Sequence, residues 1–170
     1  MAATAFLWSL AGLFIKVIDW NPIAIAGSRS LIASVVIFIY LRHPKIHLSF
    51  PQIAAAVANA ATMLLFVSAN KTTTAANAII LQYFAPVLTV FIGALLLKER
   101  ARVEHLVALP LVAAGMIVMF LDELGGGRLL GNVLAILSAV TFSFCFVFMR
   151  MQKDGSPLES ILLSHWLTAG

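Results

Sequence analysis

Apolar residues gather in long unbroken runs along this chain. Six of them approach the ~20 residues that a helix needs to cross a bilayer core, at roughly 3–18, 23–41, 51–69, 75–97, 104–121 and 129–149. A seventh starts after Pro157 and stops at Gly170, about 21 Å of helix against a hydrocarbon core of ~30 Å. The first run starts near Met1 with no basic tail before it, and the chain reads as a fragment of a longer protein. Barrel strands would alternate apolar and polar residues over ~10 positions. Ala78–Leu97 shows no such alternation, and Val133–Met149 is apolar on every side. A signal peptide is a weaker reading of the start: Ala24-Ile25-Ala26 resembles a cleavage site, but Lys16, Asp19 and Pro22 interrupt the run. Between the runs lie breakers. Asp19-Trp20-Asn21-Pro22 predicts a tight turn, Pro22, Pro51 and Pro157 suit first helical turns, and Gly125-Gly126-Gly127 is a flexible link.

Composition turns this pattern into a class. The 170 residues are 62% hydrophobic and 11% charged, against about 45–50% apolar and ~25% charged in soluble domains. Mean hydropathy is +1.03. A water-soluble fold of this composition would expose large apolar patches, which monomers rarely do. A cytosolic enzyme, a disordered tail and a nucleic-acid module are excluded. The net charge of +4 forms no basic stripe, and a single cysteine, Cys145, excludes a disulfide framework and any multi-cysteine metal site. The expected fold class is an all-α membrane protein, a polytopic transmembrane helix bundle whose partner is the lipid bilayer.

The basic residues orient it. Arg42 and Lys45, then Lys98, Arg100 and Arg102, then Arg150 and Lys153 follow the even-numbered runs, whereas Lys16, Lys71 and Arg128 lie in the alternate loops. Since basic loops stay cytoplasmic, the N-terminus is expected inside. The sixth run also echoes the first. Sliding by 134 residues sets Ala5 on Ala139, Ser9 on Ser143, Phe14 on Phe148 and Lys16 on Arg150, and one more residue sets Pro22 on Pro157. Five spans are an odd number, so a second copy would enter the membrane the other way up, as in transporters built from inverted repeats. Coincidence among apolar helices is the competing account.

At this point the residues resemble a family. Ala78-Ile79-Ile80-Leu81-Gln82-Tyr83-Phe84-Ala85-Pro86-Val87, running to Leu95-Leu96-Leu97-Lys98-Glu99-Arg100, is similar to the proline-bearing fourth helix and its basic-acidic exit in EamA-type permeases of the drug/metabolite transporter superfamily. Trp8-Ser9, Pro22, Arg29 and a fifth run bearing Gly115 fit the same order. The resemblance implies a first five-helix repeat at 1–124 and the start of an inverted second repeat at 129–170. It implies ten helices in the whole protein with both termini inside, in the bacterial inner membrane, and export of small metabolites or drugs. This chain is shorter than that plan by most of its second half.

Polar groups at depth need a partner or a role. Arg29 lies seven residues past Pro22, about 10 Å deep. It either snorkels to an interface or faces a cavity that attracts carboxylate-bearing solutes. Gln82, Pro86 and Thr89 share a helical face beside Tyr83, and Pro86 deprives the Gln82 carbonyl of its usual donor. That backbone can line a cavity or form a kink satisfied by a neighbouring helix. Asn59, with Thr62 and Phe66 on its side, suits an amino-acid-like solute or an interhelical hydrogen bond. Trp8 is a stacking platform or an interfacial anchor. The candidate substrate-binding residues are thus Arg29, Asn59, Gln82, Tyr83, Pro86 and Trp8. Gly131, Ala135, Ala139 and Ser143, with Ala26, Ser30 and Ser34, read as packing seams.

Neither a metal nor a cofactor is expected. His43 and His47 bracket Pro44 in a basic loop, too few ligands for a metal site. His105 opens a helix, and His165 sits in the seventh run, where it could face the cavity. No Asp or Glu lies deep in the first six runs, so no carboxylate is offered there for proton coupling. An enzyme would need a convergent nucleophile, base or metal set, and none is visible. The leading reading is a permease for a small solute working by alternating access, and the alternative is a non-transporting membrane subunit or scaffold. Oligomeric state, a homo-oligomer included, stays open.

Overall fold

A computed structural model describes residues 2–44, 46–98, 110, 114–115, 118, 129–152 and 156–170, with side chains from Leu10 onward. The described secondary structure is helical: α1 (Ala2–Val17), α2 (Pro22–Leu41), α3 (Phe50–Thr72), α4 (Ala75–Gln82), α5 (Ala85–Leu97), α6 (Leu129–Met151) and α7 (Pro157–Ala169). Four stretches are long and apolar enough to cross a bilayer: α2, α3, α4 with α5, and α6. At 16 residues, α1 falls just short of that length. The fifth predicted run, 104–121, lies largely outside the described residues.

The breakers act as local chemistry dictates. Pro22 stands at the start of α2, behind Asn21, whose side-chain oxygen accepts the Ile23 N–H at 3.0 Å. Pro51 opens α3. Pro157 opens α7 within a capping box, where Ser156 Oγ accepts from the Leu158 N–H and Glu159 Oε2 from the Ser156 N–H, each at 3.3 Å. Each device satisfies amide groups that a helix start leaves orphaned.

One difference from the sequence reading concerns the fourth run, which is two helices and not one. The Tyr83 N–H is shared between the carbonyls of Ile79 and Ile80, the Phe84 N–H reaches only Leu81, and α5 restarts at Ala85 with Pro86 in its first turn. Without an N–H, Pro86 cannot continue the ladder, and its ring displaces the preceding turn. The chain therefore breaks at Tyr83-Phe84, just ahead of the proline.

The bundle is organised around α3. It packs along α6 and also touches α1, α2, α4 and α7, while α6 in turn packs against α4 and α5. Small side chains make the α3–α6 approach close: Ala55, Ala56 and Ala69 on α3, and Ala135, Ala139 and Ser143 on α6, are all fully buried. Gly131 is the tightest point. A Cβ there would lie 2.7 Å from the backbone nitrogen and Cβ of Thr73 and 2.8 Å from Thr72 Oγ1. Two apolar clusters fill the core, one of Ile15, Ile25, Ala26 and Val67, the other of Ala69, Ala78, Leu81 and Ala135. The outer face of α2 leaves Leu31, Ile32, Val35, Val36 and Ile39 at least half exposed. Such a continuous apolar strip is what lipid covers.

Hydrogen bonds lock the ends. The Lys16 ammonium at the end of α1 donates to the carbonyls of Thr73, Asn70 and Lys71 at 2.8, 3.2 and 3.4 Å, which close α3. Lys71 in turn donates to the Ile18 carbonyl beyond α1. Each cation thus sits at the negative end of the other's helix. Next to them, Thr73 Oγ1 donates to Asn132 Oδ1 at 2.9 Å, joining α3 to the start of α6. These contacts put the C-terminal ends of α1 and α3 beside the N-terminal end of α6, which therefore runs opposite to both.

Candidate functional site

The break in the fourth run opens onto a cavity of about 460 Å³, within the ~300–1,000 Å³ typical of small-molecule sites. Its wall is built from most of the bundle. Helix α2 contributes Arg29, and α3 contributes Asn59, Thr62, Met63 and Phe66. The broken segment adds Ile79, Gln82, Tyr83, Ala85 and Pro86, while α6 adds Phe142 and Phe146. Five of the six residues picked from sequence therefore line one space. The sixth, Trp8, has a side chain that lies outside the described residues.

The lining is apolar with a few polar groups, and their roles differ. Thr62 and Thr141 hydroxyls pair across α3 and α6 at 2.8 Å. Asn59 donates its side-chain amide to Ser164 Oγ on α7 at 2.7 Å, so it ties helices together as well as touching the cavity. Thr89, placed by sequence on the face of Gln82 and Pro86, is turned onto its own helix and donates to the Ala85 carbonyl at 2.7 Å. The same carbonyl accepts from Ser143 at 2.8 Å, which pins the start of α5 to α6. Tyr83 is half exposed.

Among the described residues of this wall, Arg29 is the one formal charge. Among the described residues it has no hydrogen-bond or ion-pair partner, although helix α7 brings His165 near enough for their charges to interact. An unneutralised guanidinium presents five N–H donors and suits a planar carboxylate. Around it, Phe66, Phe142, Phe146 and Tyr83 offer ring surfaces. The two α6 rings are 4.5 Å apart between centroids, at 49°. Sequence reasoning had no means of selecting Phe142 and Phe146. They stand in a helix apolar all round, where periodicity carries no contrast, and only their i, i+4 spacing hinted at a shared face.

A bundle that is helical throughout its described residues, with several bilayer-length apolar helices and a cavity of small-molecule size, defines a polytopic membrane protein. Residues 1–121 match the EamA-like transporter family, and the chain belongs to that family. No curated protein and no solved structure matches the chain. Membership makes it a membrane transporter by family, with a small solute as its partner.

Proposed function

We propose that this chain forms the solute-binding part of a permease that exports small carboxylate-bearing metabolites by alternating access. The observation that supports it is the Arg29 guanidinium, which lines a largely apolar cavity and has no hydrogen-bond or ion-pair partner among the described residues. A charge at membrane depth is costly unless something neutralises it, and an anionic solute would do so during transport. Export follows the family resemblance. In this reading α1 to α5, with the fifth run, form one repeat, and α6 and α7 open a second of opposite orientation, rocking about the site between them. The excess of Lys and Arg in alternate loops supports a cytoplasmic N-terminus, and the family resemblance points to a bacterial inner membrane.

The test is counterflow of labelled N-acetylphenylalanine, a monoanion that crosses lipid slowly, into proteoliposomes holding the full-length protein. The neutral N-acetylphenylalaninamide serves as control. The acid is expected to exchange faster than in empty liposomes and the amide is not. Losing a charged hydrogen bond costs about 1.5–3 kcal/mol, so Arg29→Gln should weaken apparent affinity at least tenfold. Equal handling of acid and amide, or an Arg29→Gln protein that exchanges normally, overturns the assignment.

A further inference from the structure

Helix α7 carries a titratable group that the solute site does not use. His165 is only 7% exposed, and its Nδ1 is buried with no hydrogen-bond partner among the described residues. The two helices packed on α7 define its surroundings. Along α2, which runs antiparallel, a Cβ on Gly27 would lie 3.5 Å from the Thr168 carbonyl. Three residues onward in α2 and three back in α7, Ser30 and His165 fall at the same depth. Ser30 is fully buried, and its hydroxyl also lacks a partner among the described residues. On the other side Asn59 of α3 binds Ser164, the neighbour of His165. His165 therefore lies on the helix that joins Asn59 through Ser164, within electrostatic range of Arg29.

We propose that His165 is a proton-binding site coupled to the solute site, so that an anionic solute and a proton bind together. The inference rests on the carboxylate reading of the cavity. The charges facing His165 are few. Helix α2 brings Arg29 within electrostatic range, and its other titratable side chain, Tyr40, is near the opposite end. Helix α3 has only Lys71, in its last turn. On α7 itself Glu159 is six residues back, about 9 Å along the axis, and serves the capping box. A proton on His165 thus adds a second cation beside Arg29, with no described carboxylate against it. An anion on Arg29 removes that repulsion, so solute favours the proton and, by reciprocity, the proton favours solute. Imidazole changes charge between about pH 5 and 8, so the coupling is readable as a pH dependence of solute binding in that range.

Calorimetric titration of N-acetylphenylalanine into the full-length protein in detergent, in two buffers of different ionisation enthalpy, counts the protons exchanged. Between about pH 5.5 and 7.5 the wild type is expected to take up a fraction of a proton per probe bound. Its affinity should fall as pH rises, by no more than about tenfold per unit. His165→Gln should still bind the probe, with proton uptake and pH dependence both lost. Binding without proton uptake in the wild type overturns the coupling while leaving the carboxylate site intact. Uptake that survives in His165→Gln overturns the assignment to His165. If the wild type does not bind the probe, the carboxylate reading fails and the coupling falls with it.

Discussion

Replacing Gly131 by alanine tests the packing that holds α3 against α6. The added methyl would lie 2.7 Å from the Thr73 backbone nitrogen and 2.8 Å from Thr72 Oγ1. No rotamer relieves a clash with backbone, so the helices must part or Thr73 must move. Thr73 is poorly placed to move, because its hydroxyl binds Asn132 and its carbonyl accepts from Lys16. Overpacking costs about 1–3 kcal/mol, and a clash with backbone at 2.7 Å puts this site in the upper part of that range, about 2–3 kcal/mol. Alanine returns at most ~1 kcal/mol through its better helix propensity, which leaves a net loss of about 1–2 kcal/mol. Cys145 supplies the assay. It is the only cysteine, 1% exposed, and on the same helix but about 21 Å away. Its alkylation by maleimide therefore requires the bundle to open. A loss of 1–2 kcal/mol multiplies the open population by roughly 5–30, and Gly131→Ala should be alkylated faster by that factor. Gly93 is the control, since no described residue lies within 4 Å of a Cβ there, and Gly93→Ala should react no faster than wild type. Equal rates for Gly131→Ala and Gly93→Ala would refute the close-approach argument.

Two further outcomes follow from the polar contacts. In a double-mutant cycle of Asn59→Ala and Ser164→Ala, read by the same alkylation rate, the coupling energy should be about 0.6 kcal/mol and no more than ~1.7, the range found for hydrogen bonds between membrane helices; zero coupling would mean the 2.7 Å contact contributes nothing to stability. Lys16→Met removes a cation from the carbonyl end of α3 and should cost about 1 kcal/mol, several-fold in Cys145 alkylation, whereas the exposed Arg42→Met should leave the rate unchanged.

Much of the architecture could be read directly from residue types. Membrane length and composition set the helices at α2, α3 and α6 to within three residues, because a hydrocarbon core admits few alternatives. The four-residue spacing of Gly131, Ala135, Ala139 and Ser143 identified the seam that α3 covers, since small residues are informative wherever backbones must approach. Pro86 announced an interruption, but not that a pair of residues before it would leave the helix. Steric displacement acts upstream of the proline ring, and sequence does not fix how far. The cavity was legible at its polar points and illegible at its aromatic ones. Arg29, Asn59 and Gln82 stand out against an apolar background, whereas Phe142 and Phe146 are camouflaged by it. Thr89 misled because a hydroxyl in a helix can satisfy itself on a carbonyl one turn earlier.

The paired lysines at the ends of α1 and α3 carry a mechanical consequence. Pulling those two ends apart would break every contact that the two ammonium groups make with the carbonyls of Ile18, Asn70, Lys71 and Thr73, and a cation at the carbonyl end of a helix contributes about 0.3–1 kcal/mol. The two rods are yoked there and must swing as one lever. Whatever flexing the bundle performs is left to the weaker joint at Tyr83-Phe84, where the backbone ladder is already interrupted.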